Sequence, residues 1–163
     1  FHYALNRAER TFVPLREELQ HAQRYLYFLY LRFDSRVAYS IDVPETMLDC
    51  RVPILSIQPV VENAIEHGMR SDDSPLAINI TGRCEQDCAW VTVSDNGNGM
   101  SEERHQEIIR QLENGRQDGS IGLTNIDRRL RLAYGDSFAI TIDNEPGKGM
   151  AVTIKLPMGG ATS

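Results

Sequence analysis

Apolar residues recur along this chain in two rhythms. After Pro14, the residues Leu15, Leu19, Ala22, Leu26, Leu29 and Phe33 are three or four positions apart, which is the spacing of one helical face and predicts a helix over 15–33. Tyr25, Tyr27, Phe28 and Tyr30 widen that face, so the helix is expected to pack on both sides. Residues 37–43 alternate as a strand and Pro44 ends it. Ile54, Ile57, Val60, Val61, Ala64 and Ile65 mark a second helical face, opened by Pro53 and closed by Gly68. Pro59 lies inside it and predicts a kink or a later start, because proline removes a helical hydrogen bond.

Residues 77–81 and 89–94 alternate around the polar stretch 82–87 and predict a hairpin. Residues 97–122 carry Gly97, Gly99, Gly115, Gly119 and Gly122 around a charged stretch of weak apolar periodicity, the pattern of a mobile loop with one short helix. Helical spacing returns over 121–134 through Ile126, Leu130 and Ala133. Two strands then follow, 138–144 and 150–156, joined by a turn at 145–149. The order helix, strand, helix, hairpin, helix, hairpin predicts an α+β fold, an antiparallel or mixed sheet covered on one face by helices.

Composition narrows the function. The 163 residues are 41% apolar, enough for the core of one domain, and 17 Lys and Arg stand against 23 Asp and Glu. A net charge of -6 gives no support for binding a phosphate backbone, so no nucleic-acid partner is expected. The apolar run 25–31 is far shorter than the roughly 20 residues of a membrane span. The N-terminus lacks the order of a signal peptide. Cys50, Cys84 and Cys88 are too sparse for a disulfide framework, so a cytoplasmic setting is expected. Cys84 and Cys88 flank a hairpin turn without a second pair of zinc ligands.

Three strings carry candidate chemistry. Asp95-Asn96-Gly97-Asn98-Gly99-Met100 directly follows a strand; it offers a carboxylate for an exocyclic amine beside backbone that a planar ring can approach, or else a plain Asn-Gly turn. Glu62-Asn63-Ala64-Ile65-Glu66-His67-Gly68 ends a helix and sets Glu62 and Glu66 on one face with Asn63 beside it. These are hard oxygen ligands suited to Mg2+, or a solvated face. Gly119-Ser120-Ile121-Gly122-Leu123-Thr124-Asn125 opens a helix, where free amides and the helix dipole favour phosphate. It has no P-loop lysine and lies in no βαβ unit, so neither a Walker site nor a dinucleotide fold is supported.

In this order the strings resemble the N, G1 and G2 boxes of the GHKL ATPase superfamily. Leu15-Arg16-Glu17-Glu18-Leu19, Tyr25-Leu26, Arg32-Phe33, Gln58 to Ile65 with His67-Gly68, Gly122-Leu123 with Asn125, and Arg129-Leu130 are similar to LytS/YehU-like sensor histidine kinases. The resemblance covers about residues 9–157. It implies a Bergerat-type two-layer α/β sandwich that binds ATP between sheet and helices under a lid. Residues 1–35 would end a dimerisation or linker helical region, and 36–163 would form the HATPase_c-like ATP-binding domain. Asp95 would accept the adenine amino group, with Gly97, Gly99 and Met100 along the ring and His67 and Gly68 beside them. Asn63 would hold Mg2+, and Gly119, Ser120, Ile121, Gly122, Leu123 and Asn125 would line the phosphates. Glu62 would orient the phosphoacceptor or support the metal.

The resemblance also implies what the chain does. ATP with Mg2+ would phosphorylate a histidine outside this sequence, on the dimerisation domain of a homodimeric, membrane-anchored parent, and a response regulator would then be charged. The family's acceptor string is missing: His2 and His21 are expected to be ordinary helix residues, and His105 is expected to be solvated. Three positions depart from the family: Glu66 replaces a common lysine, Ser120 a usual glycine, and Met150 the threonine of many relatives. These departures keep open a degenerate nucleotide-binding module without kinase activity. Residues 101–118 are expected to be a lid, disordered without ligand, and Trp90 and the 25–30 aromatics to serve core or interdomain packing.

Overall fold

The computed structural model describes residues 12–34, 36–70, 74–114 and 121–158. Five strands form the main sheet: β2 (Val37–Asp42), β4 (Leu76–Glu85), β5 (Cys88–Asp95), β6 (Ala139–Glu145) and β7 (Gly149–Pro157), in the order β2-β4-β5-β7-β6. β2 runs parallel to β4 and all other pairs are antiparallel, so the sheet is mixed, as the alternation predicts. A separate two-stranded pair, β1 (Phe12–Pro14) with β3 (Arg51–Pro53), has no counterpart in the sequence reading.

Alternation dictates the faces of the sheet. Ile78, Ile80, Val91, Val93, Val152, Ile154 and Leu156 are buried under the helices, while Thr92 and Thr153 pair through their hydroxyls on the other face. Trp90 also lies on that outer face. It is half-buried between the Arg83 guanidinium at 4.8 Å and the Lys155 ammonium at 5.1 Å rather than in the core.

Three helices cover the inner face: α1 (Leu15–Arg32), α2 (Gln58–Gly68) and α4 (Ile121–Tyr134). α1 buries Leu15, Leu19, Ala22, Leu26 and Leu29 in the same core as the sheet. Its first amides, of Leu15 and Arg16, donate to the carbonyls of Cys50 and Leu48, which replaces a side-chain cap. Among the described residues nothing covers the second side expected to pack on α1, since Tyr27 and Phe28 are more than half exposed. α2 starts at Gln58 with Pro59 in its first turn, where a missing amide costs nothing, so the proline sets a late start and not a kink. Among the described residues no helix is long and apolar enough to cross a membrane.

The hairpin strands run longer than predicted. β4 continues through Glu85, and the turn is only Gln86-Asp87, both at positive φ, the geometry of a two-residue hairpin loop. The larger correction concerns 97–122. Residues Glu102–Asn114 form helix α3, with Ser101 Oγ accepting from the Arg104 amide at its start and Glu102 and Glu103 in its first turn. Its apolar side is only His105, Ile108 and Leu112, which is why the periodicity reads as weak. Ile108 is nonetheless buried, and His105 Nε2 lies 3.2 Å from the Ile142 carbonyl oxygen. His105 is therefore held against β6 and not solvated. Within the expected lid, residues 102–114 thus form a helix anchored against β6, and 115–118 lie outside the described residues.

Candidate active site

Asp95 ends β5 beside Met150 at the start of β7. Its Oδ1 accepts from the Gly97 amide at 2.9 Å. Burial pushes its pKa up, against the opposing pull of the Gly97 and Met150 amides and the nearby His67. An acceptor kept partly out of water has a strong demand for a donor.

Glycine is required around Asp95 for close approach. A Cβ on Gly97 would overlap the Gly68 backbone, and one on Gly149, at φ +136°, would overlap the Asp95 carbonyl. A Cβ on Gly68 would come 2.9 Å from Leu76 and 3.5 Å from Asp95 Oδ1. The C-terminal end of α2 thus lies directly against the loop after β5, which brings His67 and Gly68 to Asp95. Gly99, at φ +63°, is equally confined by the Glu145 carbonyl.

The loop is held by side chains of which two, Asn144 and Arg70, were not singled out in the sequence. Asn144 accepts from the Met100 amide and donates to the Met100 carbonyl, both at 2.8 Å. Arg70 donates to the carbonyls of Gly97, at 3.0 Å, and Gly147, at 2.6 Å. Asn96 Oδ1 accepts from the Ala77 amide at 2.7 Å. One signal for Asn144 exists in the sequence: it follows Ile140 and Ile142 on the inward side of an alternating strand, where a polar group needs a partner.

Glu62 and Asn63 lie one and a half turns earlier on α2, about 7.5 Å along the axis from Gly68 for Asn63. Glu62 is exposed and accepts from Gln58 Nε2 at 3.3 Å. Asn63 is half-buried, and its buried Nδ2 has no hydrogen-bond partner. Tyr25 of α1 faces this stretch: burial, and then the carboxylates of Glu62 and Glu66, raise its pKa. Gly122 opens α4 within 3.9 Å, by its Cβ position, of the Pro59 carbonyl, so α4 begins beside the start of α2. The Leu123 side chain is buried in the core and Asn125 is exposed. Gly119 and Ser120, and the Ile121 side chain, lie outside the described residues. Met150 is buried, and its contact with Asp95 is through the backbone amide, so that contact does not require a threonine side chain.

A carboxylate at a strand end, a glycine-lined approach and a helix bearing Glu, Asn and His thus lie at one end of a two-layer α/β sandwich. Residues 54–160 match the family model for histidine kinase-, DNA gyrase B- and HSP90-like ATPases, and the chain belongs to this family. It is 31% identical over 149 residues to the sensor histidine kinase YesM of Bacillus subtilis, covering 91% of this chain and 24% of that protein. It is 35% identical over 156 residues to the sensor protein LytS of Oceanobacillus iheyensis, covering 92% of this chain and 26% of that one. The chain therefore spans about a quarter of the length of these relatives. The histidine kinase domain of an Erythrobacter litoralis blue-light activated kinase shares the fold, with TM-score 0.62 at 19% identity over 90% of this chain and 62% of that one. So does the catalytic domain of histidine kinase ThkA, with TM-score 0.61 at 20% identity over 90% and 95%. Membership of this ATPase family implies ATP binding.

Proposed function

We propose that this chain is the ATP-binding catalytic part of a sensor histidine kinase, acting with Mg2+ to phosphorylate a histidine outside this sequence. Residues 1–35 are read as the end of a dimerisation or linker region and 36–163 as the catalytic domain. The partners of this reading are a histidine-bearing dimerisation domain and a response regulator, in a homodimeric, membrane-anchored parent with this part on the cytoplasmic side. The observation that carries the reading is the pairing of a desolvated Asp95, walled by Gly68, Gly97 and Gly149, with Asn63 on the same helix as Gly68.

The residues present fit the nucleotide and the metal. The unpartnered Asn63 Nδ2 is a donor suited to a phosphate oxygen, and its Oδ1 is a hard ligand one residue along α2 from Glu62. Among the described residues no cluster of three or more His, Cys, Asp or Glu could hold a metal ion. Mg2+ needs none, since it keeps its waters and is bound through one or two protein oxygens plus substrate phosphates. When bound, Mg2+-ATP supplies the phosphoryl group and the charge neutralisation for its transfer. Asp95 accepts the exocyclic amine, Gly97 and Gly99 leave room for the ring, and His67 and Met100 border it. Asn63 orients the phosphates, and Glu62 aligns the incoming histidine or supports the metal. Gly119 to Leu123 and Asn125 serve the phosphate side. The relatives' printed names support kinase activity over the degenerate module, which no observation favours.

Calorimetry tests the assignment. Asp95→Asn should weaken ATP binding about tenfold or more, and GTP should bind poorly to the unsubstituted chain, because a site built for one donor leaves buried groups unpaired with another base. Equal affinity for GTP, or unchanged affinity in the variant, refutes the role of Asp95. Asn63→Ala should abolish the tightening of ATP binding by Mg2+.

A further inference from the structure

Two strings singled out in the sequence, Leu15 to Leu19 and Arg129-Leu130, have no part in the site described so far. Each delivers one charged side chain to the same place, the turn 54–57 that opens α2. Glu18 is on the buried side of α1, only 7% exposed, and its Oε1 accepts from the amides of Ser56 at 2.8 Å and Ile57 at 3.2 Å. From the other side, Arg129 of α4 donates to the carbonyls of Ile54 at 3.2 Å and Leu55 at 3.5 Å. Leu55 sits at φ +59°, a conformation that side-chain-bearing residues rarely adopt and that persists only when the surroundings fix it. A carboxylate thus gathers the amides of the turn while a guanidinium gathers its carbonyls.

We propose that Glu18 and Arg129 are positioning residues that set α2, and through it Asn63, at the phosphate end of the site; this rests on the nucleotide reading above. The apolar side of α2, through Val60, Val61, Ala64 and Ile65, holds the helix to the sheet, but apolar contact is non-directional. Directional bonds at Ser56 and Ile57 fix its axial and rotational setting. Asn63 is six residues from Ile57, about 9 Å along the axis, so the setting of the first turn is carried rigidly to it. A side chain that orders a ligand loses effect with displacements of about 1 Å. The clamp also joins three helices: α1, α2, and α4, whose first turn adjoins the start of α2. A carboxylate buried on an apolar helix face would be costly without these amides, and two N–H donors meet that cost.

The test uses the whole 163-residue chain. ATP affinity is measured by calorimetry with and without Mg2+ in the unsubstituted protein, Glu18→Ala, Glu18→Gln and Arg129→Gln. Ile154→Val, in the sheet core, controls for lost stability. Glu18→Ala should reduce the Mg2+-dependent increment about tenfold, the range for residues that orient a metal's ligands, and leave Mg2+-free affinity, which reports Asp95, unchanged. Glu18→Gln keeps an oxygen acceptor and should rescue most of the increment, and Arg129→Gln should reduce it by about threefold. A full increment in Glu18→Ala, or the same loss in Ile154→Val, overturns the proposal. If Glu18→Ala does not fold, a full increment in Arg129→Gln overturns it equally. No ATP binding by the unsubstituted chain refutes the nucleotide reading itself, and ATP binding without any Mg2+ effect refutes the metal role of Asn63; both are distinct from a result confined to the variants.

Discussion

Around Asp95 the loop is tied down by Asn144, Arg70 and Asn96, and its glycines leave no room for a further atom. Around Asn63 the arrangement is the opposite, with Glu62 exposed, one buried amide nitrogen unpartnered, and the helix set from its distant first turn. In the proposed reading the first region recognises a rigid ring, and its tied-down loop suits that role because each unpaired or mobile group would reduce discrimination. The second leaves valences open, which suits the proposed sharing of ligands with phosphates and waters. Stability and function should therefore separate along α2: substitutions near Gly68 damage both, and substitutions near Asn63 damage function alone.

The largest effect that could break this comparison is expected at Gly97. Gly97→Ala puts a methyl into the Gly68 backbone, where no side chain can yield, and should cost about 3 kcal/mol and all measurable ATP binding. Thermal unfolding close to that of the unsubstituted protein would mean that the contact of loop and helix is slack. Asn144→Ala comes next. It deletes two bonds to Met100 and should cost about 2 kcal/mol, with weakened ATP binding even without Mg2+. Asn63→Ala should change stability by less than about 0.5 kcal/mol, since it removes no protein bond made by Nδ2, yet it should remove the Mg2+ effect. A loss at Asn63 as large as that at Asn144 would erase the distinction between the two ends.

How much of this was legible in the sequence follows from the range of each interaction. Strands with one buried face leave a period of two, and helices packed on a sheet leave a period near three and a half, so β2, β4 to β7, α1, α2 and α4 are all visible in the pattern. The pair β1 and β3 is three residues a strand, too short for a period, with prolines in both. Helix α3 was legible only as one short helix within a loop, because His105, Ile108 and Leu112 alone mark its inward side. The candidate residues Asp95, Asn63, His67, Gly68, Gly97 and Gly99 were legible through short local strings, and the structure brings Asp95, His67, Gly68 and Gly97 together. Arg70 was not legible, and of Arg129 only its place in a family-like string was, because their partners lie up to 77 residues away and are backbone carbonyls, which every residue supplies. Glu18 did leave a trace: it falls three residues after Leu15 on the buried face of α1, a charge in an apolar stripe that calls for a partner.

The smallest effect sharpens the comparison most, because at Asp95 stability and function should move in opposite directions. Burial raises the folded-state pKa of Asp95 above the ordinary value of 3.8. A raised pKa means that the fold binds this proton more tightly than the unfolded chain does. The stabilising contribution is thus complete below pH 3.8 and is lost as pH rises through the raised value. At neutral pH the ionised carboxylate opposes folding, and Asp95→Asn, neutral and of the same shape, should melt slightly above the unsubstituted protein. The advantage should shrink on acidification and vanish near pH 3.8, while ATP binding at neutral pH falls. Melting curves from pH 4 to 8 on both proteins measure this. A variant that melts lower throughout, with no convergence in acid, would show that the bonds from Gly97 and Met150 outweigh burial, and that the Asp95 end is built for its own stability and not held in reserve for an adenine amine.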